Sequence, residues 1–179
     1  MKLIISIIAV IVIIIAILAY WLGAFAKLNI EEAAAGPYVL VYEEHVGPYS
    51  GIKAVQDGIY YRLLNEEQIS TTKGFGIYYD NPKVVDKEKL RSIGGVILEE
   101  EYADRIPDLE KNFKLKRLGE GQVITTSIPF KNPLSVMVGI FKVYPAIERY
   151  VEEKGYDMGE MMEIYDVPNK KIIYLMPLK

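Results

Sequence analysis

Gly76-Ile77-Tyr78-Tyr79-Asp80-Asn81-Pro82 and Glu163-Ile164-Tyr165-Asp166-Val167-Pro168 are two versions of one short pattern, and this repetition decides the fold. Each is a β-type run that ends in an acidic residue and a proline, and each follows an amphipathic helical pattern. Such an echo indicates one structural unit used twice, and the seam between two copies is a natural place for a pocket. Only the second copy has a glutamate, Glu163, in the strand itself.

The residues around each stretch predict a strand, a helix and two further strands. The first copy has predicted strands at 38–45, 76–79 and 95–98 and a helix at 51–65; the second has strands at 122–128, 161–167 and 172–176 and a helix at 134–154. Pro145 should kink or divide the second helix, because it removes a hydrogen bond to residue 141. We therefore expect an α+β domain with two strand-helix-strand-strand repeats, pseudo-two-fold symmetry, and an antiparallel sheet with helices on one face.

The N-terminal segment has a different character. Residues 3–26 are 24 positions without a charge, between Lys2 and Lys27. As a helix they would be about 36 Å long, enough to cross a hydrocarbon core of about 30 Å. A cleaved signal peptide is the alternative, because Ala24-Phe25-Ala26 fits a cleavage site, but the apolar run is longer than is usual for one. We expect a transmembrane anchor at 1–27 that contacts the lipid bilayer through 3–26, a linker at 28–37, and a domain at 38–179.

Composition excludes several classes of function. Outside the two lysines of the anchor, 19 basic and 24 acidic residues give a net charge of −5, which disfavours binding to nucleic acid. The chain has no cysteine and one histidine, His45, so a thiol nucleophile or a standard zinc or iron site is hard to build. We also find no nucleotide-binding loop or catalytic triad. No catalytic residue, metal or cofactor is therefore predicted.

Four motifs in one order resemble a known family. They are His45-Val46-Gly47-Pro48-Tyr49, Tyr78-Tyr79-Asp80-Asn81-Pro82, Glu163-Ile164-Tyr165 and Met176-Pro177-Leu178. Together they resemble the GyrI-like small-molecule-binding domains, which also serve as effector-binding modules of AraC-type and multidrug-sensing MerR-type regulators. The resemblance covers about residues 38–179. Because an apolar N-terminal segment precedes the domain, the chain looks most similar to the testis-expressed, membrane-anchored branch of that family.

The resemblance implies a ligand groove between the repeats and favours the cytoplasmic side of the membrane for the domain. The anchored relatives continue into a disordered tail that recruits autophagy machinery. This chain ends at Lys179, after the last predicted strand, so we expect it to lack that adaptor role. Some family members are hydrolases that use a pocket tryptophan beside a glutamate. The single tryptophan here is Trp21, in the anchor, which leaves enzyme activity open and disfavoured.

Glu163 is the first candidate binding residue. Period-two alternation places Met161, Tyr165 and Val167 on its face of the strand. An ionised carboxylate on an apolar face is costly unless it is paired or hydrogen-bonded. It could be a counter-charge for a cationic or hydrogen-bond-donating ligand, or it could lie at a sheet edge or pair with a lysine or arginine. The Glu-x-Tyr position matches the pocket glutamate of the GyrI-like family, which supports the first interpretation.

The tyrosines form the second group of candidates, because a phenol offers a flat apolar face and one hydroxyl. The chain has 14 tyrosines, including Tyr60, Tyr61, Tyr78, Tyr79, Tyr144, Tyr165 and Tyr174. Any one of them could be an ordinary core residue. Tyr79 and Tyr165 are selected because they hold equivalent places in the two copies, and Phe75 and Ile77 would share the face of Tyr79. The predicted ligand-binding residues are Glu163, Tyr165, Tyr79, Ile77, Phe75 and Met161.

Three hypotheses follow from the sequence. The first is a single-pass membrane protein whose domain binds a small amphipathic molecule, which could be cationic, in the groove between the repeats. The second is a membrane-tethered module that uses this groove to bind a protein partner. The third is a hydrolase of reactive small molecules with Glu163 as general base. A deep, tyrosine-lined cleft with Glu163 at its floor would favour the first, and a filled seam would favour the second.

Overall fold

The computed structural model describes residues 2–21 and 27–178. Its first element, α1 (Lys2–Trp21), is an apolar helix, and the window Lys2–Tyr20 has a mean hydropathy of 3.3 and no part buried against the domain. By length and composition α1 can cross a membrane, although a signal sequence passes the same test. The cleavage-like triplet at 24–26, which would distinguish the two, lies outside the described residues.

Eight strands form one sheet in which every neighbouring pair is antiparallel. The strands are β1 (Glu31–Ala35), β2 (Tyr38–Val46), β3 (Lys73–Tyr78), β4 (Arg91–Leu98), β5 (Lys114–Leu118), β6 (Gly121–Pro129), β7 (Met161–Asp166) and β8 (Lys171–Pro177). Their order across the sheet is β1-β6-β8-β7-β3-β4-β2-β5. The helices of the domain are α2 (Ile52–Glu66), α3 (Ile106–Leu109), α4 (Leu134–Val138) and α5 (Tyr144–Lys154), with a π-helical turn at Gly139–Val143 and short 3₁₀ helices at Tyr49–Gly51, Lys87–Lys89 and Glu100–Arg105.

The duplication predicted from the sequence is confirmed. The first copy is β2-α2-β3-β4, the second is β6, the α4–α5 helix, β7 and β8, and the copies meet where β3 pairs with β7. In this pair Gly76 lies directly opposite Glu163. Aligning Ile77-Tyr78 with Ile164-Tyr165 makes Gly76 and Glu163 equivalent positions of the two copies. The pseudo-two-fold axis therefore passes between one glycine and one glutamate.

The two edge strands extend the duplication. β1 precedes β2 in the chain but pairs with β6, and β5 precedes β6 but pairs with β2. Each copy therefore lends its leading strand to the other. The turns that make the exchange touch, since a Cβ at Gly36 would lie 2.7 Å from the carbonyl oxygen of Gly119. Gly36 also has a φ of +97°, so this turn needs glycine for both reasons.

The two faces of the sheet bury different cores. The curled inner face holds a cluster of residues from both copies: Leu40, Phe75, Ile77, Ile93, Ile97, Val123, Met162, Ile164 and Leu175. The outer face is covered by the helices, with one cluster under α2 that includes Ile59 and Leu63 and another under the α4–α5 helix that includes Val143 and Ile147. Helices therefore lie on one face, as the alternation predicted. Strand residues that point away from the inner cluster point toward the helices.

The second helix is divided as Pro145 predicts. α4 ends at Val138, the turn Gly139–Val143 is π-helical, and Pro145 lies in the first turn of α5, where its missing N–H is tolerated. At the start of this helix the side chain of Asn132 accepts a hydrogen bond from the amide of Leu134 at 2.9 Å. The division shifts the face that the helix presents, and it occurs beside the cavity described below.

One expectation about the chain's organisation is wrong. We expected a linker at 28–37, but Glu31–Ala35 is an edge strand paired with β6. Three alanines in five residues give little local strand propensity, so this strand depends on its partner in the sheet. Leu28 and Ile30 also pack against the core beneath the α4–α5 helix. The folded domain therefore includes Leu28 and Ile30 as well as β1.

Candidate functional site

A cavity of about 1720 Å³ lies on the helix-covered face of the sheet. Gln56 and Tyr60 of α2 line one side of it, and Ile140 and Tyr144 of the second helix line the other. Glu163 of β7 belongs to its lining as well. Because α2 and the second helix belong to different copies, the cavity lies at the seam of the duplication.

The first copy leaves space at this seam because it lacks side chains there. On the helix-covered face β3 presents Gly74, Gly76 and Tyr78, while Phe75 and Ile77 point into the inner core. The amide of Gln56 donates a hydrogen bond to the backbone oxygen of Phe75 at 2.9 Å, which holds α2 against this bare stretch of strand. The floor of the cavity is therefore bare at Gly74, whereas the ring of Tyr78 covers Gly76.

Glu163 receives hydrogen bonds from tyrosine hydroxyls. It is only 3% exposed, and its strand β7 lies between β3 and β8, so it is not at a sheet edge. Tyr144 donates to Oε1 at 2.8 Å and Tyr165 donates to Oε2 at 2.6 Å. Tyr78 approaches Oε2 at 3.5 Å, the limit for a hydrogen bond. The two short bonds are charge-assisted when the carboxylate is ionised.

Tyr78 reaches the carboxylate across a glycine. A Cβ at position 76 would lie 2.8 Å from the Tyr78 hydroxyl oxygen, so the ring occupies space that any other residue would fill. The ring of Tyr49 packs edge-on against Tyr78 with centroids 4.8 Å apart. Tyr49 in turn donates to the backbone oxygen of Asp80 at 2.7 Å. These contacts link the acidic end of the repeated motif to the cavity.

A further tyrosine, Tyr174, lies beneath the π-helical turn. It is opposite Glu163 in the β7–β8 pair and fully buried. Its hydroxyl has no hydrogen-bond partner within the described part of the chain. Gly139 makes room for it, because a Cβ there would lie 1.9 Å from the Tyr174 oxygen. The turn therefore places a glycine where Tyr174 meets the helix.

Burial raises the pKa of Glu163 above its usual range, while the hydrogen bonds from Tyr165, Tyr144 and Tyr78 act against this rise. Burial and the nearby Glu163 carboxylate also raise the tyrosine pKa values well above their usual range. None of the ion pairs among residues 2–21 and 27–178 involves Glu163. A cation in the cavity would supply the missing counter-charge and favour the ionised form.

The structure brings part of the predicted site together. Glu163, Tyr165 and Met161 line the cavity, and so does Tyr79, which is 37% exposed and follows the end of β3. Phe75 and Ile77 do not line it. Both are buried in the inner core, on the face of the sheet that points away from the cavity and from the Glu163 side chain. Their placement beside the cavity is wrong because β3 pairs Gly76, not Phe75 or Ile77, with Glu163.

The carboxylate of Glu163 is contacted by two tyrosines that sequence reasoning did not select. Tyr78, not Tyr79, approaches the carboxylate, and Tyr144 donates one of its two short hydrogen bonds. Both were among the candidate tyrosines but were not selected. The signal existed, because aligning Ile77-Tyr78 with Ile164-Tyr165 pairs Tyr78 with Tyr165. Tyr144 could have been found only by knowing that the second helix crosses β7.

Comparison with known proteins decides the family. The family of GyrI-like small molecule binding domains matches residues 29–176. The chain belongs to this family. It is 28% identical over 162 residues to human testis-expressed protein 264, covering 84% of this chain and 49% of that protein. The mouse homologue is 28% identical over 147 residues, covering 78% and 44%. This GyrI-like chain thus spans less than half the length of each relative.

Solved structures show the same fold. The C-terminal domain of EcmrR superposes with a TM-score of 0.58 at 10% identity, covering 85% of this chain and 98% of that one. An uncharacterised conserved protein from Listeria innocua superposes with a TM-score of 0.50 at 14% identity, covering 84% and 92%. At these identities the similarity concerns the fold.

Proposed function

We propose that this GyrI-like chain is a single-pass membrane protein that binds a small amphipathic molecule, in particular a cationic one, in the cavity between its two repeats. The membrane anchor would be residues 1–27, with the domain on the cytoplasmic side. Glu163 would be the counter-charge of the ligand. Tyr165, Tyr144 and Tyr78 would hold the carboxylate, and apolar side chains of the second helix would contact the rest of the ligand.

The observation that carries this proposal is the buried carboxylate of Glu163, which forms no ion pair with any residue in 2–21 or 27–178. Its two short hydrogen bonds come from neutral hydroxyls, which orient it but leave its charge uncompensated. Removing a carboxylate from water costs several kcal/mol, and an opposite charge in the same cavity offsets that cost. Because the lining also includes aromatic faces such as Tyr60 and Tyr144, an aromatic or quaternary cation suits the site.

The size of the cavity supports a bulky ligand. At about 1720 Å³ it exceeds the 300–1000 Å³ range that is usual for small-molecule pockets. A single inorganic cation would leave most of this volume to water, whereas a flat amphipathic molecule can contact both helices. The cavity also argues against a filled seam. The protein-binding hypothesis, which expects such a seam, has less support from this geometry.

A matched pair of ligands tests the proposal. Full-length protein in lipid nanodiscs is titrated with a cationic aromatic amphiphile and its neutral isostere, using wild type and Glu163→Gln. We expect the variant to lose about 30- to 150-fold in affinity for the cation, equivalent to about 2–3 kcal/mol for an unpaired buried charge, and little for the isostere. Equal losses for both ligands would sink the counter-charge role.

A control variant separates the charge effect from loss of fold. Glu148→Gln removes a carboxylate that lines the same cavity but already pairs with Lys83, with an Nζ–Oε2 distance of 3.0 Å. We expect this variant to bind the cation nearly as well as wild type.

The side of the membrane is tested by whether a cysteine introduced at Val46 reacts with an impermeant reagent in intact cells.

A further inference from the structure

Exposed apolar residues of the second helix stand at the cavity. Leu134, Met137, Ile140 and Phe141, here called the apolar rim, are all exposed, and Phe141 is 74% exposed. Met137, Ile140 and Phe141 also line the cavity. Leu134 and Met137 lie on one side of α4, and Met137 borders the same cavity as Ile140 and Phe141, so the rim is a continuous surface. Such a surface beside a pocket marks a site of contact with something apolar.

The first described residues of the domain lie close to the start of α4, which carries part of this rim. Leu28 and Ile30 pack against the same core cluster as Val136 and Val138, which belong to α4. β1 runs antiparallel to β6 with Glu31 opposite Thr125, so continuing this register brings Leu28 level with Ile128. The chain then leaves β6 at Pro129 and begins α4 at Leu134. The start of the domain at Leu28 and the start of α4 at Leu134 therefore lie at the same end of the sheet.

The chain between α1 and the domain is short. Seven residue steps separate Trp21, where α1 ends, from Leu28, which is packed on the domain core. Even fully extended, these steps span at most about 25 Å. When α1 crosses a membrane, this short connection holds the apolar rim next to the bilayer surface. Little freedom remains for the domain to turn this end away from the lipid.

Charge does not offer an alternative means of contact. The domain carries a net charge of −5, which opposes adsorption to an anionic leaflet. Contact through the rim would be apolar, with side chains entering the boundary between headgroups and acyl chains to a depth of about 5–10 Å. Such contact should resist high salt, unlike an electrostatic one.

We propose that the apolar rim inserts into the lipid bilayer that holds α1, so that the cavity opens onto the lipid and receives its ligand from the bilayer. This inference rests on the membrane anchor of the proposed function. It specifies the ligand class further, as amphiphiles that partition into lipid. It also explains why the helix beside the cavity exposes apolar side chains that would otherwise face water.

Single labels on the cysteine-free chain test this arrangement. Full-length protein in phosphatidylcholine nanodiscs carries an environment-sensitive fluorophore at Met137→Cys, at Val46→Cys or at Ala9→Cys. Val46 is 67% exposed, and it lies at the opposite end of the sheet because β2 and β6 run in opposite directions. Ala9 lies in the middle of α1 and reports insertion of the anchor.

We expect brominated lipid to quench the labels at Met137 and Ala9 but not the label at Val46, in low and in high salt. Phe141→Ser should lower the ratio of docked to undocked domain about tenfold, because it removes a phenyl ring that the docked domain would bury in the lipid. Tyr61→Ser is the matched control on α2, where Tyr61 is 57% exposed and away from the cavity lining.

Each outcome is decisive. A Met137 label that remains in water while the Ala9 label is quenched overturns the docked rim but leaves the anchor and the ligand site intact. An unquenched Ala9 label overturns the anchor and, with it, this inference. Quenching at Met137 that salt abolishes, or that Phe141→Ser leaves unchanged, contradicts apolar insertion. If wild-type protein does not bind the cation in the ligand titration while the label at Met137 is quenched, the proposed ligand is overturned and the docked rim is not affected.

Discussion

Replacing each tyrosine at the carboxylate by phenylalanine should have graded effects that follow the hydrogen-bond lengths. Tyr165 and Tyr144 donate at 2.6 and 2.8 Å, whereas Tyr78 lies at 3.5 Å. A hydrogen bond to a charged group contributes about 1.5–3 kcal/mol, and one at the distance limit contributes little. Phenylalanine keeps the ring and removes only the donor. Tyr165→Phe and Tyr144→Phe should therefore destabilise the ionised form of Glu163, and Tyr78→Phe should not.

The direction of the effect on binding follows from the pKa of Glu163. Burial raises that pKa and the tyrosine donors lower it, so losing a donor raises it further. A cation binds the ionised carboxylate, and its binding is lost as pH falls through the pKa of Glu163. The loss should therefore occur at higher pH in Tyr165→Phe than in wild type. At a pH below the wild-type midpoint, affinity for the cation should fall about tenfold or more, the equivalent of about 1.5 kcal/mol.

The assay is isothermal titration of a permanently charged cationic amphiphile against full-length protein across the acid range. A permanent charge ensures that only the protein titrates. Melting curves of each variant control for loss of fold. The reasoning is refuted if Tyr78→Phe moves the midpoint as far as Tyr165→Phe does, or if all three variants retain the wild-type profile.

Two further predictions concern stability, measured by denaturant unfolding. Tyr174→Phe should stabilise the domain by about 1 kcal/mol, because it removes a buried hydroxyl without a described partner, whereas Gly139→Ala should destabilise it by about 1–3 kcal/mol through the clash with that hydroxyl. If Tyr174→Phe stabilises the Gly139→Ala background no more than it stabilises wild type, the clash is not with the hydroxyl. Glu163→Gln should be more stable than wild type at neutral pH. Burial raises the folded-state pKa of Glu163 above its ordinary value of 4.5. The stability that protonated Glu163 contributes is therefore fully present below 4.5 and is lost as pH rises through the folded-state pKa. Glutamine does not ionise, so the variant does not lose this stability. A difference between variant and wild type that does not change with pH contradicts this.

Local patterns were sufficient to predict the duplicated unit. The helical stripes, the alternation around Glu163 and the effect of Pro145 each depend on residues close together in the chain, and each is confirmed in the structure. The edge strands β1 and β5 were missed for the opposite reason. Glu31–Ala35 has little strand propensity of its own and pairs with residues about 90 positions away. No local sequence pattern indicates that the copies exchange strands.

The site was predicted in part, and the errors have one origin. The extra residue in Tyr78-Tyr79-Asp80, compared with Tyr165-Asp166, allows two alignments of the copies. Choosing Tyr79 as the partner of Tyr165 selected the odd-numbered face of β3, and this brought in Phe75 and Ile77. A shift of one residue moves every side chain of a strand to the other face of the sheet. Only the pairing of Gly76 with Glu163 fixes the alignment.

That pairing also explains why the two copies had to differ. Two glutamates at these equivalent positions would lie directly opposite each other, and like charges there destabilise a sheet and force one carboxylate to stay protonated. A side chain at position 76 would also displace Tyr78, whose hydroxyl lies 2.8 Å from where a Cβ would be. Glycine at position 76 removes both conflicts and leaves the space that the ring of Tyr78 occupies. A symmetric fold thereby holds a single buried carboxylate at its seam, which receives its two short hydrogen bonds from Tyr144 and Tyr165.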